Sequence, residues 1–208
     1  MERRKPASSR TRVRRVPKRG VYDREAIYSI IDEALMCQVG FGADGHIAVV
    51  PVGCARRGDE LLLHCARASR LAKALNSGKE ICVAITHLDG LVLARSAFHH
   101  SMNYRSAVIY GRPRGITETA ELRQALADIA EHLAPGRWNV IRAPSPKELR
   151  ATVVFTLPLG EASAKVRTGP PADELEDMDW PVWAGVIPLR VIRGEPIAEP
   201  NAPDIGRP

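Results

Sequence analysis

The sequence predicts a mainly β fold with added α-helices: an antiparallel barrel with peripheral helices. Two strand-like runs, residues 36–42 (MCQVGFG) and 46–54 (HIAVVPVGC), are joined by Asp44 and Gly45, a pair suited to a hairpin turn. Arg57, Gly58 and Asp59 then turn the chain into a third adjacent strand with one short helix behind it, a meander closing into a barrel. Further β-rich runs bring the total to seven or so strands, with helices interspersed.

Each element has a local reason. Asp23 can cap a helix whose Ile27, Ile30, Ile31, Ala34 and Leu35 repeat on one face. Leu61, Leu62 and Leu63 form a short continuous apolar run, the pattern of a strand buried on both faces. Ser69 caps the next helix, Leu71, Ala74 and Leu75 share one face, and Gly78 ends it. Residues 80–88 and 104–111 are β-rich, and the apolar start of GLVLARSAFHHSMN between them continues the sheet before a loop or helical turn. Residues 117–133 read as a surface helix with Thr117 as its cap and Leu122, Leu126, Ile129 and Leu133 as its apolar stripe. Pro135 and Gly136 break it. ATVVFTLPL and EASAKVR give two strands around Gly160, and WAGVIPLRVI gives a last one. The ends, residues 1–20 and 195–208, are Pro-rich or charge-rich and are expected to be loose.

A chain of 208 residues, 45% hydrophobic and 26% charged, is enough for one sizeable core. No run approaches the ~18 apolar residues of a membrane span, so no membrane contact is expected. The net charge of +6 is unevenly placed. Residues 1–20 hold nine basic side chains against Glu2, leaving 21 basic and 23 acidic residues elsewhere, a net of −2. The charge therefore describes a basic arm, read as a disordered tail. No nucleic-acid contact is expected except through that arm. The arm has no apolar stretch of an export signal, so a cytoplasmic location is expected. Cys37, Cys54, Cys65 and Cys82 have no C-x-x-C spacing and read as reduced structural thiols.

Residues 60–78, ELLLHCARASRLAKALNSG, carry the clearest chemistry. A strand runs into a helix whose first N–H groups are unpaired, with Arg67 and Arg70 beside them, as an anionic phosphate needs. The same pattern also describes an ordinary capped surface helix. His64 ends that strand: it either faces whatever the phosphate anchors or is hydrogen-bonded within the barrel. His99 and His100 open a polar cluster at the start of a strand, where adjacent side chains face opposite ways and make a poor metal pair. No metal site is expected. G-x-G-x-x-G, Walker and G-x-S-x-G motifs are absent.

Four stretches, ITHLDGLVLARSAFHHSMNYRSAVIYG, PGRWNVIRAP, EASAKVRTGPP and VWAGVIPL, resemble the pyridoxamine phosphate oxidase-like flavoproteins, in the branch that includes nitroimidazole-resistance (Nim-type) proteins. The likeness spans roughly residues 20–195. It implies an FMN-binding split β-barrel at residues 21–195, working as a homodimer with flavin between subunits, flanked by the basic arm 1–20 and the tail 196–208. By position, the flavin ring would lie along Val49, Pro51 and Val52 and meet His64 and Cys65. The phosphate would meet Ser69 and Arg70, Arg105 and Ser106 would belong to a second flavin-contacting strand, and Trp183 would close the partner's site.

Two departures bear on function. Leu71 stands where the family's oxidases have a lysine, which shifts attention to Lys73 or Arg67. The oxidases' C-terminal Arg–His-containing motif is missing from PIAEPNAPDIGRP, which argues against oxidation of pyridoxamine phosphate.

The leading expectation is a flavin-dependent oxidoreductase that carries hydride from NAD(P)H, through FMN or FAD, to a small acceptor such as a nitroaromatic or quinone. His64 is its expected catalytic residue. Trp138 and Arg142, with Arg137, form a basic-aromatic loop suited to an anionic aromatic substrate, or alternatively pack on the helix ending at Leu133. Two other functions stand beside it: a non-catalytic flavin or haem binder or sensor, and a nucleic-acid-associated dimer using residues 1–20.

Overall fold

The computed structural model describes residues 4–201. In chain order they form β1 (Gly20–Val21), α1 (Arg24–Glu33), β2 (Met36–Ala43), β3 (His46–Arg57), β4 (Glu60–Ala66), α2 (Arg70–Asn76), β5 (Ile81–Leu93) and β6 (Ser101–Gly111). There follow β7 (Arg114–Gly115), α3 (Thr119–Leu133), α4 (Pro146–Ala151), β8 (Thr152–Pro158), β9 (Ala162–Arg167) and β10 (Gly185–Pro188). The strands join in the order β1-β9-β6-β5-β2-β3-β4-β8-β7, with β10 beside β5 and every pairing antiparallel.

One strand makes this a split barrel. From His46 to Gly53, β3 pairs with β2; from Cys54 to Arg57 it pairs with β4 instead. The chain thus changes sheets between Gly53 and Cys54, and the terminal strands β1 and β7 do not close the ring. On the far side β5 is bulged between Leu88 and Gly90, and β10 pairs beyond the bulge with residues 90–93.

The run Leu61, Leu62 and Leu63 is buried throughout because β4 has a core on each face. Leu61 and Leu63 enter the barrel interior with Ile31, Ile85, Ile109, Phe155 and Leu157. Leu62 faces a second cluster with Leu122, Ala125, Ile129, Leu149 and Val154 under α3. Burying such side chains contributes about 1.5–3 kcal/mol each, which explains why the stripe of α3 packs on β4 and β8.

Local caps explain the helix starts. The Asp23 carboxylate accepts the Ala26 N–H at 3.3 Å. Expected Thr117 is not the cap of α3; the Glu118 carboxylate accepts from the Ala120 and Glu121 N–H groups instead. α1 ends at Glu33, so Leu35 falls outside the helical face and is exposed. The last strand is restricted to Gly185–Pro188, and His99 ends a 3-10 turn at Ala97–His99 rather than opening a strand. α4 arises from a capping box in which Ser145 and Glu148 bond reciprocally.

The basic arm is not loose along its described length. Thr11 is 1% exposed, Ser8 Oγ donates to Glu161 at 2.6 Å, and the Val13 N–H donates to the Tyr22 hydroxyl at 2.8 Å. Arg10 pairs with Glu80 at 2.6 Å and Glu161 at 3.1 Å. Two acidic residues near the ends of β5 and β9 hold the arm, a pairing invisible along the sequence. Residues 195–201 are exposed, and the remaining ends expected to be loose, 1–3 and 202–208, lie outside the described residues. The cysteines are all free thiols. Among the described residues no helix is long and apolar enough to cross a membrane, and no three His, Cys, Asp or Glu side chains are grouped to hold a metal.

Candidate functional site

Where β3 leaves β2 for β4, the structure opens a cleft of about 440 Å³. Pro51, Val52 and Gly53 form one wall; His64, Cys65, Ser69 and Arg70 form the other. Up to Gly53, β3 pairs with β2 along one edge, so its other edge offers unpaired backbone N–H and C=O groups to this cleft. A flat heterocycle with donors and acceptors on its rim matches such an edge.

The opposite wall suits an anion. Ser69 Oγ accepts the Ala72 N–H at 3.0 Å, and its hydroxyl proton can turn toward the Cys65 sulfur or toward an anion in the cleft. Arg70 is exposed beside it and is the one permanently charged side chain among the described lining residues. Arg67 is committed elsewhere: its Nε and one terminal nitrogen donate to the Arg150 and Thr152 carbonyls at 2.9 and 3.1 Å. Leu71 is buried in the barrel core, so the inner side of α2 supplies packing where a lysine would supply charge. Lys73 does not line the cleft. Burial pushes the Cys65 thiol up, against the Ser69 hydroxyl, which lowers it, so Cys65 is a thiol at neutral pH.

A second cleft of about 500 Å³ adjoins the first. Its walls are apolar: Leu126, Ile129 and Leu133 of α3, with Trp138 and Ile141 from the loop that follows. That loop is held by Glu131, whose carboxylate accepts the Gly136 N–H at 2.6 Å and the Trp138 N–H at 2.8 Å. Arg142 and Glu148 also line the cleft and pair with each other at 2.6 Å.

His64 lines both clefts. Its Nδ1 is buried and has no hydrogen-bond partner. A buried ring nitrogen left unpaired costs on the order of 1–3 kcal/mol, and of the unpaired buried side-chain atoms among the described residues this one belongs to a residue lining both clefts.

The structure therefore brings Pro51, Val52, His64, Cys65, Ser69 and Arg70 to one cleft, and Trp138 and Arg142 to another beside the same His64. Val49 is exposed and lies outside the lining. Arg105 and Ser106 line neither cleft. Arg105 is bidentate to both Glu33 and Asp89, while Ser106 Oγ donates to the Lys165 carbonyl at 3.3 Å. Arg105 is thus saturated by two carboxylates within its own chain. Trp183 is exposed, and its ring lies over Gly185, where a Cβ would stand 2.7 Å away. Glu131 was missed by sequence reasoning because nothing local ties a glutamate in the last turn of α3 to backbone five and seven residues on.

The chain matches the family described as pyridoxamine 5'-phosphate oxidase over residues 23–166. It is 40% identical to the flavocytochrome Anf3 from Azotobacter vinelandii, covering 99% of this chain and 96% of that one, with a TM-score of 0.93. It is 36% identical to the FAD and heme binding protein from Mycobacterium smegmatis, covering 91% and 93%, with a TM-score of 0.85. A 5-nitroimidazole antibiotic resistance protein from Bacteroides thetaiotaomicron is 26% identical, over 71% and 86%, at a TM-score of 0.60. No curated protein sequence matches. With its split β3, its antiparallel strand order and a family match over most of the barrel, the chain belongs to the pyridoxamine 5'-phosphate oxidase family of flavin-binding split barrels.

Proposed function

We propose that this chain is a flavin-dependent redox protein with a place for haem beside the flavin. FAD would lie along the free edge of β3 with its phosphates at Ser69 and Arg70, and haem would occupy the apolar cleft under α3, with His64 as its imidazole ligand. The observation that carries this reading is His64: one imidazole lines both clefts and keeps a buried nitrogen without a partner. The apolar walls of the second cleft support it, as do the two relatives at 40% and 36% identity, a flavocytochrome and an FAD and heme binding protein. The name of the Mycobacterium smegmatis protein also favours FAD over the FMN expected from the family alone.

Flavin passes electrons singly or in pairs and haem passes them singly, which is the chemistry these groups supply when bound. The chain's own residues do the rest. The β3 edge would orient the ring, the Ser69 hydroxyl would donate a hydrogen bond to a phosphate oxygen, and Arg70 would neutralise phosphate charge. Cys65, as a thiol, adds no negative charge to the cleft that would hold the flavin. Leu126, Ile129 and Trp138 keep water from the second cleft, which strengthens interactions made by His64. NAD(P)H as donor and a nitroaromatic or quinone as acceptor complete the reading. A homodimer belongs to it too: Met36, Ile47 and Val49 are exposed on β2 and β3, and a second copy would cover them.

The test is an absorption spectrum of the purified chain after addition of FAD, FMN or hemin. Flavin bands with FAD and a Soret band with hemin are expected, and His64→Ala should lose the Soret band while keeping flavin. A chain that stays colourless with all three at micromolar concentration overturns the proposal. If bound flavin is never reduced by NAD(P)H, the protein binds cofactors without turnover.

A further inference from the structure

We infer that Arg142 is the carboxylate-recognising residue of the second cleft, releasing Glu148 to take an acidic group at the edge of a flat, apolar ring. The inference rests on the haem reading above and adds how such a ligand is oriented. The cleft sets a charged rim against an apolar wall: Arg142 and Glu148 are exposed, the Arg142 side chain 72% accessible, whereas His64 is half-buried and Ile129 is buried. A ring carrying carboxylates on one edge fits this arrangement with the apolar body inward and the acidic edge at Arg142.

The pair at the cleft is asymmetric, and this makes it an exchangeable latch. Arg142 donates two bonds to Glu148, at 2.6 and 2.8 Å, and one to the Ala143 carbonyl at 3.2 Å. An exposed ion pair of this kind contributes little to stability, so exchanging its partner for a ligand carboxylate is cheap. Glu148 does not depend on Arg142 for its place. It accepts the Ser145 N–H at 2.7 Å and returns its own N–H to Ser145 Oγ at 3.3 Å, so α4 stays capped when the guanidinium leaves. The same hydrogen bonds hold the Glu148 carboxyl well below the usual carboxylate range, with Arg142 the largest influence and Ser145 next. Without the guanidinium the Ser145 bonds remain and an exposed glutamate is ionised at neutral pH, so Glu148 repels a misplaced ligand carboxylate and favours one aligned with Arg142. Arg123 steadies the loop by donating to the Pro144 carbonyl at 3.3 Å.

The experiment compares hemin, which carries two carboxylates, with hemin dimethyl ester, which carries none, by Soret titration of the full chain loaded with FAD. Arg142→Gln should weaken hemin about tenfold and leave the ester unchanged, because one charge-assisted contact is lost. Glu148→Gln preserves the capping box and should tighten hemin a few-fold by removing the competing anion. Thermal melts of both variants check that the fold is kept. Equal weakening of hemin and ester, or no change in either, overturns the role of Arg142 while leaving the haem reading intact. Absence of a Soret band for the unsubstituted chain with both compounds overturns the haem reading, and the assignment of Arg142 with it.

Discussion

The ring of His64 lies against Gly53, where an added Cβ would stand 3.3 Å from the His64 Cε1. Gly53 is also the last residue of β3 paired with β2, so the sheet splits at the point where the imidazole rests.

Gly53→Ala should therefore push the ring by a few tenths of an ångström. Crowding of this kind costs about 1–3 kcal/mol, or roughly 2–4 °C of melting temperature per kcal/mol for a chain of this size. Soret titration should show a further loss of hemin affinity in Gly53→Ala. An unchanged affinity with a normal melt would show that His64 is not the haem anchor.

Arg70→Ala should release FAD on gel filtration while the protein stays folded. Arg70 is exposed, so its truncation removes no core volume, but it contributes the permanent charge at the α2 side of the cleft. The loss should be about tenfold or more in affinity, as expected for a charge-assisted contact. Stoichiometric flavin in the eluted variant would refute the placement of the phosphates.

Glu33→Gln tests the clamp between α1 and β6. Arg105 beside it holds the Glu33 carboxyl below its ordinary 4.5, so ionised Glu33 stabilises the folded state. The sign follows: the stability gap between native chain and variant is full above about pH 4.5 and closes as the pH falls through the depressed value. Glu33 is half-exposed, which limits the gap to below about 1 kcal/mol. Urea unfolding at pH 7 and pH 3 measures it; a gap that widens in acid would contradict the clamp.

Deleting residues 1–15 removes Thr11, the Ser8 and Arg10 contacts, and the charge opposite Glu80 and Glu161. The melting temperature should fall by several degrees. Flavin content should not change, because β9, which receives the arm, is separated from β3 by β6, β5 and β2. Salt-sensitive DNA binding that disappears with the deletion would instead support a nucleic-acid role for the arm.

Much of the barrel was legible because its signals are local. The Asp23 and Ser69 caps, the turn at Asp44 and Gly45, and the two-sided burial of Leu61, Leu62 and Leu63 each follow from a few neighbouring residues. The arm was misread because its partners, Glu80 and Glu161, are distant in sequence and only strand packing puts them under Arg10. The clamp on Arg105 was not legible for the same reason: Glu33 comes from α1 and Asp89 from the bulge of β5, and neither proximity is written in the residues around Arg105.

By itself, the sequence determined where strands start and helices are capped, and that a serine and an arginine stand at the head of α2, since those outcomes depend on backbone chemistry over a few residues. Only the tertiary structure decided that His64 stands between two clefts. One wall comes from the sheet switch at Gly53 and the other from α3 and the Trp138 loop. Long-range packing on both faces of β4 is what brings them to a single imidazole.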